Sequence, residues 1–148
     1  MKIRIPVISY APLLEKLLNI LPPLEDALNS AFKDESYDGE IGQLTVNIVA
    51  VDADASENAK WSKPRNKVGS FQDPFTDKRL KYISIALPFD PTALEGLGDR
   101  QILHCVCEEL TVRLDNIGVR LPKTFKHQIF FDKLKTMLRI YDQAARED

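Results

Sequence analysis

Asp52 and Asp54 follow an apolar, β-branched run, and two carboxylates two residues apart on an extended chain point the same way. Such a pair can hold Mg²⁺ for phosphotransfer or hydrolysis, provided that other ligands join it. Asp90, at the end of the next apolar run, is the nearest residue of the right kind. If the two runs pair as antiparallel neighbours, Asp90 falls at the opposite end of the sheet and no triad assembles. The aspartates then read more simply as turn residues paired with Lys78, Arg79 or Lys81.

The string His104-Cys105-Val106-Cys107-Glu108-Glu109 is also rich in chemistry. On a helix only positions three or four apart share a face, so His104 can meet Cys107 or Glu108 while the two cysteines diverge. Two ligands do not complete a zinc site, and Cys107 falls in an apolar stripe where cysteine behaves as a small hydrophobe. The other histidine, His127, sits between Lys126 and Gln128 and reads as solvated. No phosphate loop stands out either. Gly96 and Gly98 precede a helix, but no lysine follows and Asp99 stands where an anion would sit. No catalytic residue, metal or cofactor is assigned.

What remains is a basic and aromatic segment: Lys60, Trp61, Lys63, Arg65 and Lys67, followed by Phe71 and Phe75. Tryptophan and arginine are favoured at protein interfaces, and basic side chains among aromatics also suit phosphates and unpaired bases. Alternatively Trp61, Phe71 and Phe75 fold back and pin the segment to the domain.

The elements around these residues follow from periodicity. Ile3, Ile5 and Val7 alternate with polar residues as in a short strand, with Pro6 hinting at an edge. Pro12 suits the start of a helix with stripe Leu13, Leu14, Leu17, Leu18 and Leu21; Pro22-Pro23 is expected to end it and a second helix to follow through Phe32. A polar loop closes at Gly39. Residues 41–51 read as an interior strand and 80–89 as its partner. Between them, 53–79 reads as a long irregular loop, and the missing crossover helix argues for antiparallel pairing. Asp99 is the expected N-cap of a helix with stripe Ile102, Leu103, Val106, Cys107, Leu110 and Leu114, ending by Gly118. Thr124 would cap a last helix with stripe Phe130, Leu134, Met137, Leu138 and Tyr141. The expectation is one α+β domain over 1–148, with a small, about three-stranded, mostly antiparallel sheet packed against helices in the order β-α-α-β-β-α-α.

Composition fits that class: 44% of residues are hydrophobic and 28% charged among 148. No apolar run reaches membrane-spanning length, and two cysteines one residue apart suit a reducing, cytoplasmic setting. The net charge of −2 hides segregation: residues 1–59 sum to −6, 60–81 to +5, 82–118 to −4 and 119–148 to +3. Either neighbouring elements pair internally or one block is a binding field.

A non-catalytic protein-binding module follows as the expected function, with a bacterial toxin-neutralising, immunity-type inhibitor as its specific form. Its contacts would be Lys60, Trp61, Lys63, Arg65, Lys67, Phe71 and Phe75, or an acidic face built either from Asp34, Glu35, Asp38 and Glu40 or from Glu108 and Glu109. The alternatives are an RNA- or DNA-binding domain using residues 60–81, and a metal-dependent phosphotransfer or hydrolytic enzyme around Asp52 and Asp54.

Overall fold

Alternation at the start of the chain yields strand β1 (Lys2–Arg4), which buries Ile3 and exposes Lys2 and Arg4. A computed structural model of the chain describes residues 1–7, 15–50 and 66–147. Helix α1 (Leu17–Phe32) continues through Pro22 and Pro23, against the expected break into two helices. Its buried stripe, Leu17, Ile20, Leu21, Leu24, Leu28 and Phe32, runs unbroken through both prolines, which are themselves exposed. A proline inside a helix costs about 3 kcal/mol, while each fully buried aliphatic side chain contributes about 1.5–3 kcal/mol. The stripe therefore outweighs the two prolines, and the carbonyls deprived of amide donors lie on the solvent side.

Strand β2 (Ile41–Ala50) follows a turn in which Asp38, Gly39 and Glu40 all have positive φ. Glycine is required at the middle position, because a Cβ there would stand 2.7 Å from that of Phe125. Strands β3 (Lys67–Gln72) and β4 (Arg79–Phe89) form a hairpin, and then come a short helix α2 (Pro91–Leu94), α3 (Asp99–Asp115) and α4 (His127–Glu147). Gly98, not Asp99, is the N-cap of α3, and its amide donates to Gln101 Oε1 at 3.0 Å. Helix α4 begins three residues beyond Thr124, the expected cap.

Among the described residues the sheet has four strands, in the order β1-β2-β4-β3. β1 and β2 are parallel, β2 and β4 are parallel, and only β3 runs antiparallel, to β4. The α+β class holds, while the three-stranded, mostly antiparallel sheet is corrected. The described part of the path from β2 to β4 runs back beside β4 as β3. That strand lies inside the segment 53–79 expected to be irregular.

Leu44, Val46 and Ile48 of β2 and Ile83, Ile85 and Leu87 of β4 are fully buried in one core with the stripes of α1, α3 and α4. The alternate residues face away from the helices and are mostly polar, with Asn47 Nδ2 donating to Ser84 Oγ at 2.8 Å. At the outer edge of β1, α1 supplies the missing partners. Ile3 N–H donates to Asn29 Oδ1 at 2.8 Å, Ile3 O accepts from Asn29 Nδ2 at 2.7 Å, and Ile5 N–H donates to Glu25 Oε2 at 2.7 Å. Replacing Asn29 by alanine leaves buried backbone groups unpaired and should cost about 1–3 kcal/mol in urea unfolding. A change within about 0.5 kcal/mol, the scale of an ordinary surface substitution, would contradict this role.

Candidate functional site

Lys60, Trp61, Lys63 and Arg65 lie outside the described residues, as do Asp52 and Asp54. The remaining members of the basic and aromatic segment, Lys67, Phe71 and Phe75, fall on the β3–β4 hairpin. Its ladder pairs Lys67 with Ser84 and Gln72 with Arg79, whereas β2 begins at Ile41, opposite Lys81. The tip therefore overhangs the rest of the sheet.

Asp73 builds that tip. Its Oδ1 accepts the Phe75 amide and its Oδ2 the Thr76 hydroxyl, both at 2.9 Å, while its own amide donates to Lys78 O at 2.8 Å. The hydrogen bond from the Phe75 amide, then that from Thr76, holds the Asp73 carboxyl below the usual carboxylate range. Asp77 takes the left-handed conformation, φ 57°, that closes the turn. The result is a fixed turn presenting Phe75 with 95% of its surface exposed.

The two described aromatics thus have different fates. Phe71 is half-buried, its ring 6.3 Å from that of Tyr82, and Tyr82 lies across β3 at Gly69, where a Cβ would come within 2.3 Å of the ring. Pinning holds for Phe71 and fails for Phe75. Sequence reasoning included Ser70, Arg79 and Lys81 in the 60–81 span of the nucleic-acid alternative but not among the protein-contact residues. With Glu40, Lys78 and Leu80 they line a hollow of about 660 Å³, in which Arg79 Nε donates to Ser70 Oγ at 3.2 Å. Their only signal was hairpin alternation on either side of a turn-forming Asp-Pro pair.

The charge blocks separate in the same way. Glu35 pairs with Lys133, Asp38 with Lys126 at 3.2 Å and Asp115 with Lys135 at 2.6 Å, so acidic stretches are matched by the basic C-terminal block. Glu35 also accepts the Tyr37 hydroxyl, and Lys133 lies 4.8 Å from the centre of the Phe32 ring. These contacts tie the 33–40 segment to α4 and engage Glu35 and Asp38 of the acidic face. On the hairpin only Lys81 has an acidic neighbour, Glu40 at 3.9 Å; Lys67, Lys78 and Arg79 form no ion pair among the described residues.

The other candidates resolve into structure. Both ring nitrogens of His104 meet carboxylates: Nδ1 lies 2.7 Å from Asp142 Oδ2, and Nε2 lies 3.1 Å from Glu108 Oε2. Burial pushes the Cys107 thiol up to about 12 and raises that of Cys105 too, which keeps both protonated. His127 is exposed, as expected. Among the described residues no cluster of three or more histidine, cysteine or acidic side chains is placed to hold a metal ion. Asp90 Oδ1 accepts the Thr92 amide at 2.9 Å and caps α2. Because β2 and β4 are parallel, Ala50 lies opposite Phe89 and both strands end at one side of the sheet, so the antiparallel argument that separated Asp90 from the end of β2 does not apply. No helix among the described residues is long and apolar enough to cross a membrane. Comparison with family models, with curated proteins and with solved structures found no match.

Hydrogen bonds from Lys133, then from Tyr37, hold the Glu35 carboxyl below its ordinary value of 4.5. A depressed folded-state value gives stability that is present above the unfolded value and lost as pH falls through the folded one. Wild type should therefore lose more unfolding free energy than Glu35→Gln between about pH 5 and pH 3. Parallel acid limbs for the two proteins would contradict the assignment.

Proposed function

We propose that this chain is a non-catalytic protein-binding module whose contact surface is the β3–β4 hairpin. The observation that carries the reading is Phe75, an almost fully exposed aromatic on a turn held by Asp73, with Lys78 and Arg79 beside it and without ionic partners among the described residues. An exposed ring of this size recovers its burial energy only against another surface, and aromatic anchors ringed by charge are the usual hot spots of protein interfaces. The unmatched cations favour a partner with an acidic rim. Neutralisation of a toxin domain is the specific form of this proposal suggested by small size and segregated charge, and it requires that the bound partner lose its toxicity.

The test is affinity capture from the native host with the wild-type chain and with Phe75→Ala/Lys78→Glu/Arg79→Glu, followed by calorimetry on the recovered protein. Phe75→Ala alone should weaken binding by about 2 kcal/mol, the hot-spot scale, and the charge reversals should slow association at low salt. Equal capture by both chains would overturn the reading. So would recovery of nucleic acid alone, released steeply by salt.

A further inference from the structure

The two edges of the sheet are treated differently. The outer amides of β1 are taken up by Asn29 and Glu25 of α1, as described above. Among the described residues the outer edge of β3 has no such cover. The bond from Asp73 N–H to Lys78 O sets the alternation along the hairpin, so Phe71, Gly69 and Lys67 turn their amides toward β4, while Val68, Ser70 and Gln72 turn theirs outward. Two independent contacts agree. The Lys81 amide, opposite Ser70, donates the other way, to Glu40 O at 2.8 Å, and the Ala86 amide reaches toward β3 to donate to Asn66 Oδ1 at 3.1 Å. Among the described residues, no group bonds to the outward amides of Val68, Ser70 or Gln72.

An unpaired strand edge is a template for another strand, and its side chains decide which one. Lys67-Val68-Gly69-Ser70-Phe71-Gln72-Asp73 is complementary to itself when run antiparallel about Ser70. In that register Lys67 lies opposite Asp73, Gly69 opposite Phe71, Val68 opposite Gln72, and Ser70 opposite its own copy. The directly opposed residues with outward amides are Val68 with Gln72, Ser70 with Ser70, and Gln72 with Val68, which together exchange about six backbone hydrogen bonds. The register is selective. Centring on Gln72 would oppose Ser70 to Pro74, which has no amide to give. Centring on Ser70 instead joins opposite charges at both ends and sets Phe71 of each copy opposite Gly69 of the other, whose side-chain space is filled by the Tyr82 ring.

We propose that two copies of this chain associate through the outer edge of β3, antiparallel about Ser70, to make one continuous sheet of eight strands. This goes beyond the hairpin-tip reading: it uses the backbone edge of β3 rather than Phe75, and it stands or falls without reference to any other protein. The contact is small and limited to one strand pair, so association is weak and concentration-dependent.

The experiment is sedimentation velocity over a concentration series on the full chain. Wild type should shift toward twice the 16.8 kDa chain mass as concentration rises. Because Ser70 faces itself, Ser70→Lys should abolish the shift and Ser70→Glu should do the same, while an equimolar mixture of the two restores a heterodimer. Neither variant changes the backbone, and Ser70 is exposed, so both keep the wild-type fold by circular dichroism. Ser70→Pro, which removes an outward amide without touching the β4 ladder, should also be monomeric. A wild type that stays monomeric throughout, single variants that still dimerise, or a mixture that fails to recover would each overturn the proposal.

Discussion

The parallel ladder between β2 and β4 is the constraint from which the rest of the structure follows. It sets Leu44, Val46 and Ile48 beside Ile83, Ile85 and Leu87 in a fully buried floor, on which α1, α3 and α4 lie with their apolar stripes. Parallel neighbours cannot be joined by a tight turn, so the chain has to travel back along the sheet before β4 can begin. β3 makes that journey as an antiparallel strand. The overhanging tip, the exposed Phe75 and an outer edge that is open among the described residues all belong to the β3–β4 hairpin on that return path.

A sheet closed on one side and open on the other divides the described residues into a satisfied part and an unsatisfied one. On the satisfied side, Asn29 and Glu25 answer the amides of β1, and Lys126, Lys133 and Lys135 answer the acidic residues of the 33–40 segment and the end of α3. His104 joins α3 to α4 through Asp142, and the neighbouring thiols are held protonated. The hairpin is where charge, aromatic surface and backbone polarity remain unanswered among the described residues. The proposed contact with another chain starts from that concentration.

Much of this was legible in the sequence wherever one face of an element is buried. The alternation Ile3, Ile5 and the run Ile83, Ile85, Leu87 gave their strands, and the stripe from Ile102 to Leu114 gave α3. Two local rules misled. Pro22-Pro23 breaks a helix only when no continuous stripe holds it, and here six buried side chains do. Gly69 and Ser70 weaken the strand signal of β3, but the glycine is there because Tyr82 occupies its side-chain space, which no local pattern reports. The same limit hid the long-range pairs, such as Asn29 with Ile3 and His104 with Asp142, whose members are separated by a helix or more. Of the proposed contact residues, Lys67, Phe71 and Phe75 could be placed, and the structure added Ser70, Arg79 and Lys81 beside them.

The claim that one edge is closed and the other open can be read amide by amide. In residue-resolved hydrogen exchange on a dilute sample, Ile3 and Ile5 should be protected through their bonds to Asn29 and Glu25. Val68, Ser70 and Gln72 should exchange far faster than Gly69 and Phe71, whose amides face β4. Protection of all five consecutive β3 amides alike under those conditions, or rapid exchange at Ile3 and Ile5, would contradict the account.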